Sequence, residues 1–227
     1  MNSLVGRSAL FDSGIAFLSD NPLFGALFVT LLWGYWFKPG NVAQVRETRE
    51  HLITTLWAGI ASIVVARALA LELPFRMRPR FEPALHFRLP ASPDSSLLLG
   101  WSSFPSDHAV MYSALAAGLC FISWRLGLAA ALYVVCFVCF PRAYLGYHYP
   151  TDLLVGVVVG VLCGYAFNLQ LVRRWIAAPV VAWEHSAPRR FYMALFFLTL
   201  QFATMFDIVR DFALSLYHFA ERLLGHR

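Results

Sequence analysis

Long apolar runs separated by short polar stretches dominate the pattern of the chain. Six of these runs come close to the roughly 20 residues that an α-helix needs to cross the hydrocarbon core of a bilayer. They cover residues 21–37, 51–71, 107–124, 126–140, 152–172 and 191–206. The fourth run is short unless its helix extends toward Tyr144. The pattern predicts an all-α fold, an integral membrane bundle of about six transmembrane helices.

The segments that flank the six runs have a different pattern. Residues 4–20 are apolar with interspersed charges, which makes them too polar to span a bilayer. Beyond the last run, apolar residues fall on one helical face. They are Phe212, Leu216, Phe219 and Leu223. We expect an interfacial amphipathic helix at each end, and a single domain that covers residues 1–227.

Composition supports a lipid environment. Hydrophobic residues make up 59% of the 227 residues and charged residues 14%, against roughly 45–50% and about 25% in soluble domains. The net charge of +5 fits anionic headgroups or a phosphate site, so we expect the bilayer as a partner and no nucleic acid. All four cysteines lie inside apolar runs, and we expect small buried side chains and no disulfide bonds.

The arginines bear on orientation. Six spans place both termini on one side, together with the loops after the second and fourth spans, and the two sides carry equally many basic loop residues. If some arginines of the first side bind a substrate, the other side holds the effective excess and faces the cytoplasm. This predicts that the first side, with the long polar loop after the second span, faces the periplasm or exterior.

The fifth run carries a regular spacing of small residues. Gly156, Gly160 and Gly164 are four residues apart. Small residues at this spacing let two helices approach closely in a membrane, so we expect another helix to pack against this face.

Three polar stretches lie at the ends of the apolar runs and, in the predicted topology, on one face of the membrane. They are residues 76–80, 104–108 and 142–152. Their arginines offer forks of donors that match phosphate oxygens, and the second stretch opens a helix whose free N–H groups attract anions. His108 and His148 supply an acid and a nucleophile. Asp152, one turn after His148, is placed to hold its imidazole N–H.

Each element has a simpler explanation when taken alone. Arg80 and Arg88 would most simply contact headgroups at the interface. His148 lies between two tyrosines, as an interfacial aromatic-belt residue does, and Ser106 or Asp107 would serve as a plain N-cap. The conjunction of three stretches with this order and spacing favours a phosphate site.

The three stretches resemble the three-part signature of the type 2 phosphatidic acid phosphatase superfamily. Arg78-Pro79 matches the end of the first motif, Pro105-Ser106-x-His108 the second, and Arg142-x5-His148-x3-Asp152 the third. Three positions depart from the pattern. Leu71 stands for a lysine, Asp107 for a glycine and Pro141 for a serine. The resemblance covers residues 65–165.

The resemblance implies a role for each matched residue. His148 would attack phosphorus and form a phosphohistidine, Asp152 would orient and polarise it, and His108 would protonate the leaving oxygen. The phosphoryl oxygens would be held by a further set of groups: Arg78, Arg142, Ser106, the backbone N–H of Asp107, and Arg76. The family's hydrolysis needs no metal, and we expect no cofactor.

The departures raise two questions. The missing lysine removes one cation, which either Arg67, one turn before Leu71, or Arg76 would replace. Asp107 brings a negative charge toward an anionic substrate, and it would either cap the third helix or pair with an arginine of the site.

Three functions are compatible with these features. A lipid phosphatase is the leading hypothesis, with a prenyl diphosphate such as undecaprenyl diphosphate favoured over phosphatidylglycerophosphate or lipid A phosphate. The alternatives are a lipid phosphotransferase that uses the same site and a non-catalytic lipid-binding membrane protein with a degenerate site. The apolar runs exclude a soluble haloperoxidase, and nothing in the pattern indicates an oligomeric state.

Overall fold

The fold was obtained as a computed structural model, which describes residues 4–88 and 100–223. Its helices are α1 (Ala9–Asp20), α2 (Leu23–Trp36), α3 (Val42–Glu72), α4 (Asp107–Cys120), α5 (Trp124–Tyr133), α6 (Phe140–Tyr144), α7 (Pro150–Asn168), α8 (Gln170–Ser186), α9 (Pro188–Ala203) and α10 (Asp207–Leu223). A π-helical segment, Val134–Cys139, joins α5 to α6. Within the described ranges there is no strand, so the all-α prediction is confirmed.

Three helical stretches are long and apolar enough to cross a membrane. They are α3, the continuous stretch Trp124–Tyr144, and α7. A fourth would arise if α1 and α2, which meet at 48°, formed one broken span. With 14, 14 and 16 residues, α2, α4 and α9 are shorter than a full crossing. Among the described residues, length and composition support an integral membrane protein with three spans, which is fewer than the six expected.

Several helix ends differ from the apolar runs. α3 begins at Val42, nine residues before its run, because Asn41 and Gln44 form a capping box and its charged first turns form ion pairs. The fifth run divides at Leu169 between α7 and α8, a helix that the pattern did not predict. The fourth run extends to Tyr144, as its length required.

Amphipathic helices form at both ends of the chain. α1 exposes Leu10 and Phe17, and α10 exposes Phe212, Leu216 and Phe219, while the side chain of Leu223 lies outside the described ones. α1 is fastened to the bundle by its buried Asp12, which accepts hydrogen bonds from the Tyr144 hydroxyl and from the Gly6 N–H. The location of both helices at the membrane surface stays a prediction.

α4 lies at the centre of the bundle between α3 and α7. The expected close approach at the glycines of α7 is confirmed, because all three face α4. A Cβ at Gly160 would lie 2.2 Å from the carbonyl oxygen of Val110, and one at Gly164 would lie 2.6 Å from that of Ala114. This contact fixes the start of α7 beside the start of α4.

A buried polar cluster fixes the opposite end of the bundle. His51 Nδ1 lies 2.8 Å from Asn168 Oδ1, and the Thr54 hydroxyl donates to the same oxygen at 2.9 Å. Arg173 of α8 contacts the other nitrogen of the His51 ring. These bonds join α3, α7 and α8, which explains why the chain turns at Leu169.

The cysteines are less buried than expected. All four thiols are free, but Cys120 and Cys136 are exposed on the outside of the bundle. The expectation of burial is wrong for these two, because an apolar membrane helix has apolar residues on its outer face as well as on its packed one.

Candidate active site

The three polar stretches meet at one end of the bundle around a residue that they do not include. Ser103 is fully buried. Its N–H donates to the carbonyl oxygen of Arg76 at 2.8 Å, and its hydroxyl donates to Asp152 Oδ2 at 2.5 Å. Its carbonyl oxygen lies 2.7 Å from His148 Nδ1. Sequence reasoning missed Ser103, for which the only signal was its place directly before the second stretch.

The imidazole of His148 is held as a neutral base. A carbonyl oxygen only accepts, so the contact with Ser103 requires the proton to be on Nδ1 and leaves the lone pair on Nε2. Nε2 lies 3.3 Å from Arg78 Nη1. Burial, with the charge of Arg78 adding to it, lowers the pKa of His148 to about 3. The nitrogen that faces Arg78 is therefore unprotonated at neutral pH.

Asp152 reaches this imidazole only through Ser103. Its fully buried carboxylate accepts from the Ser103 hydroxyl, from the Tyr149 N–H at 2.9 Å and from Arg76 Nη1 at 2.5 Å. The hydrogen bonds of the described residues include none between Asp152 and His148, so the expected direct contact is wrong. The physical reason is that Asp152 turns back to cap the first turn of α7.

Arg78 and Arg142 are buried next to His148. Arg78 is 8% exposed and also donates to the carbonyl oxygen of Tyr147 at 3.0 Å. Burial lowers the pKa of Arg78 to about 10, so it stays charged at neutral pH. Arg142 Nη2 donates to the carbonyl oxygen of Ser19 at 3.1 Å, which ties the site to the junction of α1 and α2.

His108 and Arg142 line one cavity of about 300 Å³. The cavity lies between the α1–α2 junction, α4, α6 and the start of α10, whose Asp207 and Asp211 line it as well. His108 lies within electrostatic range of Arg142, His148 and Arg78. The structure thus brings both histidines together with Arg78 and Arg142, two of the three arginines expected to bind phosphate.

Of the two roles that the sequence left open for Asp107, the structure shows the ion pair, because the helix is capped by the preceding residue. Ser106 is the N-cap, whose buried hydroxyl oxygen accepts from the Ala109 N–H at 3.5 Å. Asp107 is the first helical residue, and its Oδ1 lies 2.6 Å from Arg67 Nη2. Asp107 therefore pairs with an arginine and does not cap α4.

Arg76 and Arg80 are held by neighbouring residues. Arg76 pairs with Asp152, donates to the Thr151 hydroxyl at 3.0 Å and stacks 4.0 Å above the ring of Tyr149. Arg80 stacks on Tyr147 at 4.9 Å, so aromatic contacts hold the residue that we expected to bind headgroups. Its N–H donates to the carbonyl oxygen of Gly146.

Gly146 makes the turn that carries the third stretch past the first. Its φ of +72° is strained for other residues, and a Cβ there would lie 2.7 Å from the ring of Phe87.

In the part of the chain that the structure describes, no group of three or more His, Cys, Asp or Glu residues is arranged to hold a metal ion.

Comparison with known proteins identifies the family. The model of the PAP2 superfamily matches residues 52–176, which is more than half of the chain and includes all three stretches. The chain belongs to the PAP2 superfamily. It is 26% identical over 168 residues to undecaprenyl-diphosphatase BcrC of Bacillus subtilis (strain 168), an alignment that covers 74% of this PAP2 chain and 78% of that protein. No solved structure matches the chain significantly.

Proposed function

We propose that this PAP2 protein is a membrane lipid phosphatase. It hydrolyses a phosphate monoester or diphosphate of a lipid, and a prenyl diphosphate such as undecaprenyl diphosphate is the favoured substrate. The observation that carries the proposal is the neutral His148, whose Nε2 faces the charged Arg78 near the cavity of His108 and Arg142. The apolar helices and the name of the Bacillus relative support a lipid substrate.

In the first half-reaction, the lone pair of His148 Nε2 attacks phosphorus. The N–P bond forms while the bond from that phosphorus to the leaving oxygen breaks; this is the lipid oxygen of a monoester or the bridging oxygen of a diphosphate. His108, whose burial lowers its pKa well below the usual value, takes up a proton when the anionic phosphate binds beside it and gives that proton to the leaving oxygen. Arg78 and Arg142 neutralise the charge on the phosphoryl oxygens. The Ser106 hydroxyl and the N–H of Asp107, at the start of α4, supply further donors.

In the second half-reaction, water attacks the phosphohistidine and neutral His108 takes its proton. The N–P bond breaks, inorganic phosphate leaves, and both histidines return to their starting states. The imidazole is positively charged while it carries the phosphoryl group. The Ser103 carbonyl stabilises this charge directly, and Asp152 acts through the Ser103 hydroxyl, so Asp152 is a positioning residue.

We place the protein in a bacterial inner membrane with six spans and the site toward the exterior. Support comes from the alternation of α2, α3, α4, α5–α6, α7 and α9. Gly25 of α2 and Ala203 of α9 pack together near the site, whereas Trp36 and Tyr192 are hydrogen-bonded at the other end. Cysteines introduced at Glu82 and Arg174 in a cysteine-free variant test this. An impermeant maleimide added to intact cells should label only the first.

The phosphatase proposal is tested with detergent-purified protein and EDTA present. Undecaprenyl diphosphate, phosphatidic acid and phosphatidylglycerophosphate are offered in turn, and release of inorganic phosphate is measured. We expect release to fall by about 1,000-fold or more in His148→Ala and to be unchanged in His185→Ala, an exposed residue of α8. Radiolabelled substrate should leave an acid-labile phosphoprotein in the wild type.

Two outcomes would contradict the proposal. Phosphate release that survives His148→Ala would rule out the phosphohistidine. Release that requires an added lipid or sugar acceptor would instead identify the phosphotransferase.

A further inference from the structure

Arg67 lies in the last turns of α3, in a stretch apolar enough to cross the membrane. A charge in such a stretch is costly unless it is paired or functional. Its guanidinium is held on two sides, by Asp107 at 2.6 Å and by the ring of Trp101 at 5.6 Å. The side chain is 28% exposed, so two neighbours fix the position of a partly accessible cation.

The charges of this pair act on the site. Asp107 raises and Arg67 lowers the pKa of Arg78, after the larger effect of burial. Arg67 also contributes to the lowered pKa of His148, after burial and the charges of Arg78 and Arg142. The charge of Arg67 is therefore felt at the proposed nucleophile and at Arg78.

Several buried arginine N–H groups of this region lack acceptors within the described ranges. Arg67 Nε and Arg78 Nε are buried and have no hydrogen-bond acceptor among the described residues. A buried N–H without an acceptor destabilises the protein, and a bound phosphoryl oxygen would remove this cost by accepting its hydrogen bond. The ion pair with Asp107 engages Nη2 of Arg67 and leaves Nε available.

The two other positions from which a cation would be expected do not offer one to the substrate. Position 71, where the family has its lysine, holds the uncharged Leu71, which is 85% exposed. Arg76 is paired with Asp152.

We infer that Arg67 binds the phosphoryl group of the substrate as a further phosphate-binding residue, and that Asp107 positions it. This rests on the proposed phosphatase function. The carboxylate holds the guanidinium fork toward Arg78 and is itself neutralised, so the negative charge at the start of α4 does not repel the substrate as long as Arg67 is present.

If Arg67 and Asp107 act in this way, Asp107→Asn should have opposite effects in the Arg67→Ala variant and in the wild type. Arg67→Ala removes a donor and leaves Asp107 as an uncompensated anion, so kcat/KM should fall by about 100-fold or more. In that background Asp107→Asn should recover at least about tenfold, because it removes the repulsion. In the wild type the same Asp107→Asn should lower kcat/KM by about two- to fivefold, because it loosens Arg67.

Conservative and control variants sharpen the test. Arg67→Lys should stay within about tenfold of the wild type, because it keeps the charge and loses the fork. Leu71→Ala, one turn further along α3, should be unchanged. Arg76→Ala should lower kcat and leave phosphate affinity unchanged, because Arg76 contacts Asp152.

Binding of inorganic phosphate, followed by phosphorus NMR, gives a readout that does not depend on activity. We expect Arg67→Ala to weaken it by at least about tenfold, with partial recovery in Arg67→Ala/Asp107→Asn. A merely structural ion pair would change thermal stability in these variants and leave phosphate affinity unchanged.

Failure of the inference and failure of the proposed function have different signatures. Wild-type activity together with full activity and unchanged phosphate affinity in Arg67→Ala would overturn the role of Arg67. A wild type that releases no phosphate from any of the lipids would overturn the proposed function, and phosphate binding would still test Arg67.

Discussion

Removing the hydroxyl of Ser103 tests how the carboxylate of Asp152 reaches the catalytic imidazole. The hydroxyl donates to Asp152 Oδ2 at 2.5 Å, and both residues are fully buried. Ser103→Ala deletes this bond and keeps the main-chain carbonyl that accepts from His148 Nδ1. The substitution therefore separates the carboxylate from the imidazole without removing either group.

The size of the effect follows from the bonds that remain. A hydrogen bond to a charged group contributes about 1.5–3 kcal/mol. Asp152 keeps the Tyr149 N–H and Arg76, so we expect the lower part of this range, about 1.5–2 kcal/mol. If this stabilisation is expressed in the transition state, kcat falls by about 10- to 30-fold. KM should change little, because Arg78 and Arg142 remain.

Steady-state phosphate release at saturating lipid measures the effect, and Ser102→Ala is the matched control. The Ser102 hydroxyl oxygen accepts two long bonds, from the N–H groups of Arg76 at 3.3 Å and Phe104 at 3.4 Å. Both donors are neutral, so the loss should stay below about threefold.

The double variant Ser103→Ala/Asp152→Asn identifies the route. Residues that act in one chain are not additive, so the double variant should be no slower than Asp152→Asn alone. If Ser103→Ala had wild-type kcat, or if its effect multiplied fully with that of Asp152→Asn, Asp152 would act on His148 by another route and the reasoning would be refuted.

Two further predictions concern stability. Gly160→Ala should destabilise the protein by about 1–3 kcal/mol, because its Cβ would lie 2.2 Å from the backbone oxygen of Val110. Thermal unfolding in detergent measures this. The control is Gly34→Ala in α2, which should not destabilise the protein, because its Cβ meets nothing within 4 Å and alanine favours the helix. The second prediction concerns pH. The pKa of His148 is about 3 in the folded protein and near 6.5 in the unfolded chain. Between these pH values the unfolded chain binds more protons, so the free energy of unfolding falls as the pH drops through 6.5. At pH 4.5 this loss is about 2–3 kcal/mol. His148→Asn should therefore show a smaller decrease in Tm than the wild type between pH 7.5 and pH 4.5. Equal decreases would contradict the buried neutral imidazole.

The fold was predictable where the sequence of a single helix specifies how that helix packs. The four-residue spacing of the glycines in α7 predicted a closely packed helix, and that helix is α4. The break at Leu169 was not predictable, because the apolar run continues to Val172 while the bonds of Asn168 and Arg173 to His51 decide where α7 ends. Such bonds join residues more than 100 positions apart, and periodicity carries no information about them.

The site shows the same division. The spacing of His148 and Asp152 predicted correctly that both side chains belong to one centre. It did not predict their geometry, because a carboxylate one turn into a helix can hold a preceding side chain or cap its own helix. In this chain the carboxylate caps its own helix by accepting from the Tyr149 N–H. Ser103, from another segment, joins the carboxylate to the imidazole through its hydroxyl and its carbonyl oxygen.

Two of the three departures from the family pattern, at positions 71 and 107, have one physical explanation when they are taken together. A carboxylate at the start of α4 would by itself oppose an anionic substrate, and an arginine in the last turns of α3 would by itself be a costly charge in a membrane helix. Paired at 2.6 Å, each removes the cost of the other. Asp107 and the absence of a lysine at position 71 are therefore parts of one rearrangement, in which the cation enters one turn earlier along α3 and needs an anion to hold it in place.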